Sequence, residues 1–500
     1  MENDLMRFKS GSDIRGTAAE GVEGQPIELT DERVSRMAKG FYVWLKKRNP
    51  DKEKLVVSLG HDSRISAPRL SACVKKALME SGAEVIFTSL SSTPAMFMTT
   101  QLLGCDGAIQ LTASHHPFNK NGLKFFAKNG GLEGSDIAEI LTYAFENVAE
   151  SGNGSCREVD FMTTYSKVLV DFVRKETGME RPLDGFKIVV DAGNGAGGFY
   201  VDSVLKPLGA NTDGSQFLDP DGYFPNHIPN PENPVAMQFI CDKVKAVGAD
   251  FGIIFDTDVD RAGAVDDLGE EINRNKLIAL ISAILLEEKG GAYIVTDSIT
   301  SDGLKEFIEQ KGGVHHRFKR GYKNVINEAI RLNNEGKYCP LAIETSGHAA
   351  LKENYFLDDG AYLVTRLLVK MAKLKKDGKK LRDLIADLKL PAESKEIRMG
   401  FKADVDFKVY GKNVLDELKD YAEKNGWTLA PSNYEGIRIS FGSGEGDGWF
   451  LLRMSLHDPI MPLNIESNVK GGNLVIAKKL YDFLKGYDGL VIDNLTAFIG

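Results

Sequence analysis

Short runs of branched apolar residues recur along the chain, each followed by a polar or glycine-rich turn and then by apolar residues at helical spacing. Residues 55–59 (L-V-V-S-L), 187–191 (K-I-V-V-D) and 292–296 (A-Y-I-V-T) read as buried strands leading into H-D-S-R, A-G-N-G-A-G-G and D-S-I-T-S-D. This order is that of α/β units, and its return at intervals of about 100 residues predicts an internal repeat of three related domains. Val34, Met37, Phe41, Trp44 and Leu45 share one helical face behind Thr30, a suitable N-cap, with Asp31 and Glu32 favourable in the first turn. After residues 390–391 the order changes. One helix pattern (414–423), two strand-like runs (437–441 and 449–454) and a last helix (474–484) predict a separate α+β domain. The expected boundaries are 1–157, 158–267, 268–391 and 392–500, with polar turns or linkers at 151–155 and 373–380.

Composition narrows the class. The 500 residues carry 62 Lys plus Arg against 71 Asp plus Glu, a formal charge of -9 with no basic tail, which argues against nucleic-acid or anionic-membrane partners. The longest apolar run, residues 277–286, is half of the roughly 20 residues that a membrane helix needs, and reads as a buried helix. The start, M-E-N-D-L-M-R-F-K-S, has no apolar signal region, so a cytoplasmic enzyme is expected, acting as a monomer or small homo-oligomer. Five scattered cysteines, none in a C-x-x-C pair, suggest neither a disulfide framework nor a zinc site.

Five segments carry candidate chemistry. T-A-S-H-H-P-F-N-K-N-G-L-K-F-F, residues 112–126, follows an apolar run and ends in a short strand. Its turn formers Pro117, Asn119, Asn121 and Gly122 can hold Ser114 and Lys124 on either side of one hairpin-like loop, although an ordinary polar turn fits the local pattern equally well. F-G-I-I-F-D-T-D-V-D-R, residues 251–261, runs an apolar strand into Asp256, Asp258 and Asp260. Carboxylates this close repel unless a cation compensates, and a hard divalent ion, Mg²⁺, is the simplest compensation. Lys319, Arg320 and Lys323 around Gly321 suit an anion, and I-E-T-S-G-H at 343–348 offers Glu344, Ser346 and His348 to a polyol. R-M-S-L-H-D-P at 453–459 offers Arg453, Ser455 and His457 as a phosphate clamp.

Taken together and in this order, the segments resemble the α-D-phosphohexomutase superfamily, which includes phosphoglucomutases and phosphomannomutases. S-D-I-R-G at 12–16 is similar to the family's N-terminal signature, T-A-S-H-H-P to its phosphoserine loop, D-T-D-V-D-R to its metal loop and E-T-S-G-H to its sugar loop. D-P-D-G-Y-F-P-N-H-I-P-N-P at 219–231 resembles its proline-rich stretch. The resemblance implies three α/β domains with mixed sheets and a C-terminal α+β domain around a central cleft. It further implies interconversion of hexose 1-phosphate and hexose 6-phosphate, of glucose or mannose, through phospho-Ser114 and a hexose 1,6-bisphosphate. Mg²⁺ would sit on Ser114, Asp256, Asp258 and Asp260, with Arg15 and Arg261 adding positive charge, Lys124 acting as general acid/base and glucose 1,6-bisphosphate serving as activator. Glu344, Ser346, Lys319 and His348 would face the sugar; Arg453, Ser455 and His457 would hold the phosphate not being transferred. Where many members carry S-G-T-E-P or S-N-T-T-P, this chain has S-L-H-D-P, so a charged His457 would replace amide-rich residues.

Other readings can be built from fragments. Phosphoglucosamine mutase is the alternative within the family, although its members usually show glutamine where Thr345 stands. F-D-T-D-V also fits a haloacid-dehalogenase-like phosphatase with Asp256 as nucleophile. Residues 193–198 (G-N-G-A-G-G) satisfy G-x-G-x-x-G with Asp213 beyond, as in dinucleotide-binding folds, but the segment before Asp213 is too poor in apolar residues for a buried strand, and the glycines read better as tight strand-to-helix packing.

Overall fold

A computed structural model describes residues 4–148, 150–431, 433–455 and 458–500. The chain forms two compact units. The first holds residues 1–284, 340–342 and 346–385; the second holds 285–339, 343–345 and 386–500.

The first unit opens with an eight-stranded mixed sheet. Val56–His61, Glu84–Leu90, Gly107–Leu111 and Ser155–Glu158 run parallel, while Lys120–Ala127 lies antiparallel between Gly107–Leu111 and Asp13–Thr17. Its register sets Lys124 opposite Gln110 on one side and Asp13 on the other, two residues from Arg15. The Asp31–Arg48 helix begins as its sequence requires: the Thr30 side chain accepts from the Arg33 N–H at 3.4 Å. Its apolar face buries Val34, Met37, Phe41, Trp44 and Leu45, and Phe41 meets Phe125 with ring centres 4.7 Å apart.

A four-stranded sheet follows, in which Ile188–Asp191 and Phe251–Phe255 are parallel and Ala262–Val265 returns antiparallel. The glycine-rich turn after Asp191 has a packing role. A Cβ on Gly195 would lie 2.5 Å from the Thr257 carbonyl oxygen, and one on Gly198 2.3 Å from that of Leu218. The next helical element is a π turn, Val201–Leu205, not the regular helix a dinucleotide pyrophosphate would face. The Asn275–Glu288 helix buries Leu277, Ile278, Leu280 and Ile281, as its apolar run predicts. Gly360–Leu374 extends into the stretch read as a linker at 373–380, and a 3₁₀ turn, Lys375–Asp377, completes it. The polar run at 151–155 likewise ends in a strand, Ser155–Glu158.

In the second unit Tyr293–Thr296 and Val314–Arg317 pair in parallel. The tail is a six-stranded antiparallel sheet ordered Thr428–Leu429, Ile437–Phe441, Gly448–Leu452, Ile460–Ser467, Glu393–Phe401 and Leu490–Val491. The helices Phe407–Lys424 and Gly472–Leu484 close its core over Val414, Leu418, Ile476 and Leu480. Two of these strands give little sequence signal. Glu393–Phe401 is largely polar at its start, and Ile460–Ser467 contains Pro462, which usually demotes a run to an edge, yet this strand lies between two neighbours. Among the described residues, no helix is long and apolar enough to cross a membrane.

Candidate active site

Ser114 stands just beyond the Gly107–Leu111 strand, in a turn that returns as Lys120–Ala127. It is buried and left-handed, with φ +49°, a conformation that costs energy in a residue with a Cβ and is kept by its surroundings. Its N–H donates to Thr112 Oγ1 at 2.9 Å, and the Arg64 guanidinium donates to its carbonyl oxygen at 2.5 Å. The hydroxyl is gripped as well: Oγ donates to Asp256 Oδ2 at 3.1 Å and accepts from Arg261 Nη2 at 2.6 Å. His115 Nδ1 lies 3.3 Å from the same oxygen, and burial together with Arg261 pulls its imidazole down to about 2, so it is neutral at ordinary pH.

The tight turn between Phe255 and Ala262 supplies Asp256, Asp258, Asp260 and Arg261, all buried. The three aspartates place one oxygen each within 4.8 Å of the others. Burial and neighbouring carboxylates push Asp256 well above, and Asp258 above, the usual carboxylate range; Asp260, despite burial, is drawn below it by Lys124, His348 and Arg261. Lys124 Nζ donates to Asp260 Oδ2 at 2.6 Å, Thr93 Oγ1 donates to Asp258, and Arg15 pairs with Asp13 at 3.0 Å while its charge is felt by Asp258 and Asp260. Asp258 Oδ1 and Asp260 Oδ1 are buried with no hydrogen-bond partner among the described residues. Two unsatisfied anionic oxygens in a buried all-oxygen cluster fit a hard divalent cation. The structure therefore brings together Ser114, Lys124, Arg15, Arg261 and the three aspartates. His348 joins them: its Nδ1 bonds Asp358 and lies 3.9 Å from Asp260 Oδ1.

The remaining candidates divide by unit. In the first, Ser346 Oγ is buried without a hydrogen-bond partner among the described residues. In the second, Glu344 Oε1 accepts the Gly321 N–H at 2.7 Å, and Arg320 Nε lies 3.5 Å from Asp297 Oδ2. Lys319 is exposed, with its ammonium 5.9 Å from the centre of the Phe318 ring. Arg453 is buried and reaches Glu435 Oε1 at 3.5 Å, while Ser455 Oγ accepts the Asp458 N–H at 3.2 Å. His457 lies outside the described residues.

Several participants have no sequence signal of their own. Glu435 also accepts from Ser298 Oγ at 2.7 Å and from the Arg320 N–H at 3.0 Å, joining three segments of the second unit that are far apart in sequence. Thr93 and Asp358 are of the same kind. Arg64 could have been suspected from H-D-S-R after its strand, but its target is a loop some 50 positions away, and its Nη2 bond to Ser114 spans a separation of 50 residues.

A serine oxygen set between an arginine and a carboxylate trio, on linked mixed α/β sheets, defines an enzyme that moves phosphoryl groups. Comparison with known proteins makes the class specific. The chain matches the family models for phosphoglucomutase/phosphomannomutase alpha/beta/alpha domain I over residues 7–151, domain II over 163–269 and domain III over 273–390. It is 30% identical to a phosphomannomutase/phosphoglucomutase of Pseudomonas putida over 413 residues, covering 82% of this chain and 83% of that protein. It is also 30% identical to a phosphoglucomutase/phosphomannomutase of Thermococcus kodakarensis over 460 residues, 91% of this chain and 93% of that one. The crystal structure of a phosphoglucomutase/phosphomannomutase family protein from Burkholderia thailandensis superposes with a TM-score of 0.79 at 26% identity, covering 97% and 98% of the two chains. The chain belongs to the phosphoglucomutase/phosphomannomutase family, and it is a phosphohexomutase.

Proposed function

We propose that this enzyme interconverts the 1- and 6-phosphates of glucose and mannose through phospho-Ser114 and a hexose 1,6-bisphosphate. One observation carries the reading. Ser114 Oγ is 2.6 Å from Arg261 Nη2 and 3.1 Å from Asp256 Oδ2, so the oxygen that would bear the phosphoryl group is held where both a cation site and a guanidinium can neutralise it. In the first half-reaction the bond between phosphorus and Ser114 Oγ breaks as a sugar hydroxyl oxygen bonds to phosphorus. Lys124 Nζ, as the neutral amine, takes the hydroxyl proton, and the ammonium so formed supplies a proton to Ser114 Oγ as its bond to phosphorus breaks, so no net proton is taken up. The bisphosphate turns end for end, and the second half-reaction runs backwards with its other phosphate.

Mg²⁺ held by Asp256, Asp258, Asp260 and a phosphoserine oxygen would offset charge on the transferring group. Arg261, whose Nη2 donates to Oγ, and Arg15, whose charge is felt by Asp258 and Asp260, would add positive charge to the transferring group. Glu344, fixed by the Gly321 N–H, and Ser346, whose Oγ has no hydrogen-bond partner among the described residues, would bond sugar hydroxyls, and Lys319 and His348 would also take part in substrate binding; Arg453 and Ser455 would hold the idle phosphate. Glucose 1,6-bisphosphate would prime Ser114.

The test is conversion of glucose 1-phosphate and mannose 1-phosphate to their 6-phosphates, with Mg²⁺ and a trace of glucose 1,6-bisphosphate, by wild type and Ser114→Ala. Turnover that needs the metal and collapses in Ser114→Ala is expected. Release of free phosphate by wild type, or equal turnover by Ser114→Ala, would overturn the reading in favour of a phosphatase acting through Asp256.

A further inference from the structure

The H-D-S-R turn and the D-P-D-G-Y-F-P stretch have no part in the reaction as described, yet they meet behind Ser114. The Arg64 side chain is fully buried, and its two terminal nitrogens donate to four backbone carbonyls of a single loop. Nη2 reaches the oxygens of Ser114 at 2.5 Å and His116 at 2.6 Å; Nη1 reaches those of Pro117 at 2.7 Å and Lys120 at 2.8 Å. Asp62 balances the charge from 3.4 Å. Burying an ion pair is an expensive way merely to stabilise a loop, whereas a planar fork of donors fixes several acceptors in one geometry. The second stretch seals the guanidinium in place. The Phe224 ring centre lies 5.3 Å from the Arg64 guanidinium carbon, and Tyr223 packs on Phe118 of the serine loop with ring centres 5.5 Å apart. Gly222 allows this approach, because a Cβ there would come within 2.4 Å of the Ile65 nitrogen and 2.5 Å of the Ser63 carbonyl oxygen.

We infer that Arg64, seated under the 222–224 turn, is a positioning residue that holds Ser114 in its left-handed conformation so that Oγ faces Asp256 and Arg261. Its work is separate from substrate binding, because it touches neither the aspartates' free oxygens nor the reacting hydroxyl. Lysine keeps the charge but cannot span four carbonyls.

The inference rests on the phosphoserine reading, and the test separates the two. Wild type, Ser114→Ala, Arg64→Lys and Phe224→Leu are compared in mutase kinetics, in single-turnover phosphorylation of Ser114 by glucose 1,6-bisphosphate, and in hydrogen exchange. For Arg64→Lys a displaced nucleophile should lower kcat about a hundredfold. KM should move by no more than about threefold, since ground-state binding is intact. Ser114 phosphorylation should slow in parallel, and amides of residues 113–121 should exchange faster while the sheet stays protected. Phe224→Leu should show a smaller change of the same kind, and it carries the test if Arg64→Lys does not fold. An inactive wild type, or an active Ser114→Ala, counts against the phosphoserine reading, and loop exchange then still judges the clamp. Wild-type kcat in a folded Arg64→Lys protein, a loss confined to KM, or unchanged exchange at 113–121 overturns the inference.

Discussion

Asp258 is buried with one oxygen bonded by Thr93 and the other without a hydrogen-bond partner among the described residues, beside two more carboxylates. Removing its charge has opposite effects on folding and on metal binding. Asp258→Asn relieves repulsion, so the metal-free protein should be at least as stable as wild type in urea titrations, while affinity for Mg²⁺, read by isothermal titration, should fall roughly tenfold or more with the loss of an anionic ligand. A second residue makes a pH prediction. His227 Nε2 meets Asp191 at 3.0 Å; burial opposes its charge, but the Asp191 bond and charge outweigh it, and the net pKa is raised. A raised histidine pKa means the native state holds the proton more tightly. This contribution is complete below the unfolded value near 6.5 and is lost as pH rises through the folded value. The stability difference between wild type and His227→Gln, from urea midpoints, should therefore shrink as pH rises above about 6.5. A difference that grows with pH would contradict the assignment.

At the scale of elements, turns place the chemistry and glycines let the turns pack. Gly195 lies against the backbone of Thr257, in the middle of the aspartate turn, with the Ala196 N–H donating to the Thr257 carbonyl at 2.7 Å. Gly195→Ala must displace that backbone, which should cost about 1–3 kcal/mol in a urea unfolding series. Because Thr257 separates Asp256 from Asp258, the same change should weaken Mg²⁺ activation; retained stability and metal response together would show that the turn tolerates the methyl group. Strand and helix positions were largely legible because apolar period and capping residues are local properties: the Thr30 cap and the Ile437–Phe441 strand stand where the pattern puts them. Glu393–Phe401 and Ile460–Ser467 were not, because each becomes a strand through the partner it finds.

At the scale of the whole molecule, each unit is held by charges buried among distant segments. In the second unit, Asp302 accepts from Arg317 at 2.7 Å and from Arg438 at 2.9 Å, while Arg438 also donates to the Ser298 and Thr300 carbonyls at 3.1 Å and its guanidinium lies 3.5 Å from the centre of the Trp449 ring. Burial and the neighbouring Arg317 pull Arg438 below the usual arginine range, which Asp302 opposes. With Asp302→Asn the two guanidinium groups would lose the carboxylate they both bond, leaving Glu466 as the nearby counter-charge. Because the Asp302 side chain is 41% exposed, the cost should be below that of a fully buried pair, about 1–3 kcal/mol, seen by calorimetry as a lowered unfolding midpoint. An unchanged midpoint would mean that solvent screens the pair.

The chain's own order of residues determined the α/β repeat, the α+β tail, the serine loop and the aspartate turn, because strand and helix periods and motif spacings are properties of neighbouring residues. Tertiary structure alone decided which of these meet. Ser114 and Asp256 touch across 142 positions, Lys124 and Asp260 across 136, and Arg64 grips a loop that its own segment does not announce. Such contacts follow from sheet register and turn packing. Gly122 opposite Arg15, Gln110 opposite Lys124 and Gly195 on Thr257 set the side chains in place, and these pairings are specified by the whole buried surface and not by any short stretch of chain.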